Sequence, residues 1–202
     1  MPYTKPVIRE PYYECPVWIE NEVDRKEYIC LSSSSTPEDV ELFLVHLFGY
    51  SNIDVKQSLK DSFRELLEKD QVAILGGIAF FDDENRSIMP SCCCGLEEWA
   101  EVHSSIHNKI SPWMGHDPYP GITYHDNFIR VLSDAPEESS KKKLFCIEYT
   151  YEEIYCSLEE TKNDLLGFIK KPLFLWINSR DQEIAQRTKQ KMYEWFMKDI
   201  VG

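Results

Sequence analysis

Three adjacent cysteines, Cys92, Cys93 and Cys94, stand immediately before Gly95 and the run Leu96-Glu97-Glu98-Trp99. A thiol at the start of a helix feels the positive end of the helix dipole, which favours the thiolate, and the thiolate is the nucleophile and the metal ligand. Along an extended segment alternate side chains share a face, so Cys92 and Cys94 are expected to point one way and Cys93 the other. A second reading is purely structural: cysteine is small and readily buried, and the run can fill a tight strand-to-helix corner. His103 and His107 follow at i, i+4, the spacing that lets two imidazoles on one helix face meet a single metal. With Cys92 or Cys94 upstream and His116 downstream, they sketch a Cys/His zinc site. No C-x-x-C pair supports it, and the histidine pair lacks the glutamate of the metalloprotease motif. His103 also shares a stripe with Trp99 and Ile106, which suits a hydrogen-bonded core histidine.

The next candidate is the segment from Trp113 through His116, Asp117 and Tyr119 to Gly121. Prolines at 112, 118 and 120 fix the backbone, and Trp, Met and Tyr offer large contact area at modest entropic cost. The segment reads as a recognition surface with His116-Asp117 as its polar handle, or as a lid tucked onto the core by Trp113. No nucleophile elbow, Walker loop or dinucleotide fingerprint occurs, so no catalytic residue and no cofactor is assigned. Asp82-Asp83-Glu84 is a solvated turn rather than a calcium loop, which needs a longer alternating array of oxygens.

Those residues need elements to hold them. Glu27–Leu31, Val17–Ile19, Val72–Phe81, Ser87–Met89, Phe128–Leu132 and Leu144–Tyr149 read as strands, with Gly76-Gly77 marking a bulge or a close backbone approach. Thr36-Pro37-Glu38-Asp39 starts one helix, closed by Gly49, and a second follows Asp54. A third begins at Gly95. Thr150-Tyr151-Glu152-Glu153 is a capping box opening a fourth, which Pro172 is expected to break, and Ser179 opens the last. The fold expected is α+β: a mixed or antiparallel sheet of about five to six strands packed by about five helices. One domain covers 1–202, with 1–14 an extended surface segment and 133–143 a flexible loop.

The chain carries 22 basic and 35 acidic residues, a net charge of −13. That balance disfavours nucleic acid, whose phosphates draw on clustered Lys and Arg. It would steer in a basic protein partner, though solubility alone also accounts for it. No apolar run approaches the roughly 20 residues of a membrane span, so no membrane partner is expected. The odd cysteine count, with three adjacent, does not suit a secreted disulfide framework, and the sequence reads as cytoplasmic.

The runs P-x-C-C-C-G-L-x-x-W at Pro90–Trp99 and S-P-W-x-G-H-D-P at Ser111–Pro118 resemble those of a group of uncharacterised bacterial cytosolic proteins, which lends no catalytic residues. In size, charge and class the chain is also similar to the immunity proteins that neutralise bacterial toxins. That resemblance implies a non-catalytic, protein-binding module acting on a basic partner. The alternative is a cysteine- and histidine-dependent enzyme, a thiol redox protein or a zinc-binding protein. The oligomeric state is left open.

Overall fold

The computed structural model describes residues 1–10, 13–20, 23–82, 84, 86–134 and 144–197. Strands β1 (Tyr3–Arg9), β2 (Tyr28–Cys30), β3 (Gly76–Phe81) and β4 (Ser87–Ile88) form one antiparallel sheet in the order β2-β1-β3-β4. Strands β5 (Gly121–Tyr124), β6 (Phe128–Leu132) and β7 (Cys146–Thr150) form a second antiparallel sheet in sequence order. The helices are α1 (Pro37–Tyr50), α2 (Leu59–Leu67), α3 (Trp99–His107), α4 (Tyr151–Phe168), α5 (Phe174–Asn178) and α6 (Gln182–Phe196). The α+β class therefore holds, with the strands divided between sheets of four and three rather than gathered into one.

The N-terminal segment is not a surface extension. Strand β1 lies between β2 and β3, with Val7 and Ile8 fully buried. Its Pro- and Tyr-rich composition reads as a segment lying over the surface, yet Pro6 fits a buried strand. Its carbonyl accepts the Leu31 N–H at 2.9 Å, so its hydrogen-bonding side faces β2, which is paired only from Val7 to Arg9. The missing proline N–H thus removes no bond to β3. Two residues earlier on that side, the Thr4 N–H is taken at 2.6 Å by Ser157 Oγ of α4. Thr4 Oγ1 also meets Thr161 Oγ1 at 2.6 Å, so a buried polar seam docks β1 on α4. Gly76 opposes Ile8 in the register, and a Cβ there would run into the Val7 carbonyl oxygen, which is the close approach its glycine predicts.

Helix starts follow their local chemistry. Thr36 with Asp39 and Thr150 with Glu153 form reciprocal capping boxes, and Ser58 and Asp181 cap α2 and α6. Helix stops do not follow single residues. Gly49 lies inside α1, and Ser51 is its C-cap. Pro172 does not end α4: a π-helical turn over Ile169–Leu173 accommodates the ring, and helical backbone continues through α5. The last helix begins at Gln182, not Ser179. Val17–Ile19 forms a turn rather than a strand. The expected loop 133–143 is described only at Ser133 and Asp134, and the turn residues Asn21, Glu22, Asp83 and Asn85 also lie outside the described residues.

One large apolar core joins α1, α2, α3, α4 and α6 to both sheets, and Trp99 is wholly buried in it. Tyr149 of β7 ties the sheets together: its hydroxyl reaches the Tyr3 carbonyl at 3.0 Å and the Phe81 carbonyl at 3.2 Å. Among the described residues no helix is long and apolar enough to cross a membrane.

Candidate functional site

The two motif runs, about twenty residues apart, meet on one surface. Ser91 is the joint. It is fully buried, its N–H donates to the Met114 carbonyl at 2.8 Å, and its Oγ accepts the Asp117 N–H at 3.0 Å. Gly115 makes the approach possible. Its φ is +97°, and a Cβ there would sit 2.6 Å from both the Cys92 carbonyl oxygen and Ser91 Cβ. On the first run, Arg9 Nη1 holds the Pro90 carbonyl at 2.8 Å. On the second, the Tyr119 N–H donates to buried Asp134 at 2.8 Å, and the Ile122 N–H to Ser111 Oγ at 3.0 Å. The loop is thus a preset surface rather than a lid, with Pro112, Met114 and Pro120 turned in and Trp113, His116, Asp117 and Tyr119 turned out.

The cysteine run falls into three environments. Cys94 is buried beside Gly77, where burial, reinforced by the field of Glu98, Glu97 and Glu101, pushes its thiol up to about 12. The helix start that the sequence offered as an activator therefore does not activate it, because burial disfavours the thiolate and the three acids add to that effect. Cys93 is exposed and adopts a left-handed backbone, φ +66°. That conformation cancels the alternation expected of an extended run, and it puts the Cys93 sulfur on the same side as Cys92. Partial desolvation and the neighbouring Cys92 push the Cys93 thiol up. Cys92 goes the other way. The backbone N–H of His116 holds its thiol below the ordinary range against the opposing effect of desolvation, with help from Ser91 and the Asp117 N–H.

Cys92 Sγ lies 3.9 Å from His116 Nδ1, and the ligand atoms of Cys92, Cys93 and His116 all fall within 4.8 Å of one another. This is the cluster in the described residues that could hold a metal; it contains Cys93 where the spacing offered Cys94. His103 and His107 do not join it. Their rings stack on each other at 4.4 Å, His107 stacks on Tyr155 at 4.7 Å, and His103 Nε2 faces Glu159 at 3.3 Å. Burial, then the neighbouring His107, lowers the His103 pKa against the pull of Glu159. His107 Nδ1 is engaged with the His103 carbonyl of its own helix at 2.9 Å. The pair is therefore a packing contact between α3 and α4.

A second feature escaped the sequence altogether. A cavity of about 640 Å³ opens between α3, the end of α6 and the segment before β3. Its lining includes Asp70, Glu97, Glu98, Glu101, Glu194 and Trp195. Glu98 and Glu101 also line a notch shared with Pro112 and Trp113, so the acidic cleft runs up to the aromatic loop. Three of the acids are already engaged: Glu97 accepts the Ile74 N–H at 3.0 Å, Glu98 the Gly95 N–H at 3.2 Å, and Glu194 pairs with Lys191 at 3.5 Å. Burial raises the Glu97 pKa. Only the clustering of Glu97, Glu98 and Glu101 was visible in the sequence; Asp70 and Glu194 arrive from distant segments.

No protein-family model, no curated protein and no solved structure matches this chain.

Proposed function

We propose that this chain is a non-catalytic binding protein whose partner is a basic protein, as the immunity-protein resemblance implies. The observation that carries this reading is the acidic cleft continuous with the Trp113 loop. Five carboxylates around one concavity offer sites for Lys or Arg side chains, and a charge of −13 steers such a partner in. Trp113 and Tyr119, 46% and 45% exposed, supply rigid aromatic anchors of the kind that concentrate binding energy. Their loop is held by Ser91, Ser111 and Asp134, so little ordering cost remains at docking.

The test uses a labelled tetra-arginine peptide followed by fluorescence anisotropy at low salt. Asp70→Asn with Glu101→Gln removes two cleft charges that make no side-chain hydrogen bond or ion pair among the described residues. This double variant is expected to weaken binding by about tenfold, from roughly 0.7 kcal/mol per charge pair. Glu152→Gln with Glu160→Gln removes the same charge from the exposed face of α4 and is expected to change affinity little. Equal losses in the two double variants, or no binding by the native chain, would overturn the reading.

A further inference from the structure

The seam between the two motif runs has the geometry of a coordination site. A tetrahedral zinc ion, with Zn–S of about 2.3 Å and Zn–N of about 2.0–2.1 Å, sets its sulfur and nitrogen ligands about 3.6 Å apart. Cys92 Sγ and His116 Nδ1 stand 3.9 Å apart, and Cys93 completes the triangle within 4.8 Å. We propose that Cys92, Cys93 and His116 bind a soft divalent cation of the zinc class, with the fourth position left to water.

Three features support that assignment independently of what docks in the cleft. The donor set comes first: two thiolates and an imidazole select zinc-like ions over magnesium or calcium, which prefer oxygen. The second is the backbone of Cys93. A left-handed conformation at a residue other than glycine, asparagine or aspartate is uncommon, and here it is what turns two adjacent sulfurs to one side. The third is the support around the ligands. Ser91, fully buried, fixes both the chain entering Cys92 and the chain leaving His116, as an outer shell must to hold ligands in register.

Cys93 and His116 are exposed, so the open position faces solvent. Three protein ligands with one position open is the arrangement of reactive rather than purely structural zinc sites. Loading replaces the protons of two thiols by the metal and releases them to solvent, so affinity falls as pH is lowered.

The experiment strips the full chain with a chelator under reducing conditions. It then titrates Zn²⁺ in competition with a chromophoric chelator, and Co²⁺ in parallel. The expected result is one equivalent bound, with a thiolate-to-cobalt charge-transfer band and the visible absorption of tetrahedral cobalt. Cys93→Ser and His116→Ala, both at exposed side chains, are each expected to weaken Zn²⁺ binding by roughly a hundredfold, since even outer-shell changes act on the scale of 10–100-fold. Cys156→Ser, on the exposed side of α4, is expected to leave it unchanged. Circular dichroism of the variants separates ligand loss from unfolding. Failure to take up one equivalent, or uptake that survives in the folded Cys93→Ser/His116→Ala double variant, would overturn the proposal. The cleft charges are absent from this test, so it fails or succeeds separately from the tetra-arginine experiment.

Discussion

At the scale of single residues, the most consequential buried group outside the site is His46 of α1. Its Nε2 accepts the Leu75 N–H at 3.1 Å, and its Nδ1 is buried with no hydrogen-bond partner among the described residues. Burial pushes the imidazole from its ordinary 6.5 down to about 4. In the unfolded chain it takes up a proton near pH 6.5, whereas the native chain resists until about pH 4. The stability this histidine confers is therefore complete above pH 6.5 and drains away as pH falls towards 4, by about 3 kcal/mol in total. His46→Gln keeps an acceptor for Leu75 without the titrating ring. Urea unfolding at pH 7 and pH 4.5 should show a smaller acid loss in this variant than in the native chain. Parallel losses would mean that His46 is charged in the fold. The cysteine run makes a related point about legibility. It could be singled out from the sequence as a candidate, but its geometry could not, because the turn from Ser91 to Cys94 that puts Cys93 in the left-handed region has no glycine or asparagine to announce it.

At the scale of elements, one phenol adds a direct hydrogen bond between the two sheets that the core packs together. Tyr149 is buried, and its hydroxyl serves the Tyr3 and Phe81 carbonyls, at opposing positions of β1 and β3. Burial raises the Tyr149 pKa further still above the normal tyrosine range, so the group stays a donor. Tyr149→Phe leaves the ring in place and removes the one O–H shared between two carbonyls that face each other across the β1–β3 ladder; the expected cost is about 0.5–1.5 kcal/mol in chemical denaturation. An unchanged midpoint would show that the sheets are held by apolar packing alone. The elements differ in how legible they were. Helix starts at Thr36 and Thr150 could be read because a cap is satisfied within four residues. Strand β1 could not, because its fitness for a sheet depends on Ser157 and on where β2 stops. Pro172 misled for the same reason: its effect was decided by a π-helical turn, which leaves no local signature.

At the scale of the whole molecule, the charge of −13 is a liability as well as an attractant. Like charges repel more strongly in the compact state, and salt screens them. Raising KCl from roughly 0.02 to 0.3 M should relieve about 1 kcal/mol and raise the melting midpoint by roughly 2–4 °C. A midpoint that falls with salt would mean that attractive ion pairs outweigh the repulsion. The total charge was plain in the sequence; the gathering of five carboxylates around one cleft was not, because Asp70 and Glu194 are brought together only by α6 packing beside α2 and α3. The seam that docks β1 on α4 has a consequence for how any other molecule can approach. Where β2 ends, Pro6 offers no donor and Ser157 of the helix has already taken the Thr4 N–H, so that flank of the sheet cannot template an incoming strand. The opposite margin, β4, is two residues long. With β2 itself only three residues long, the four-stranded sheet offers an incoming strand short stretches of free ladder on either side.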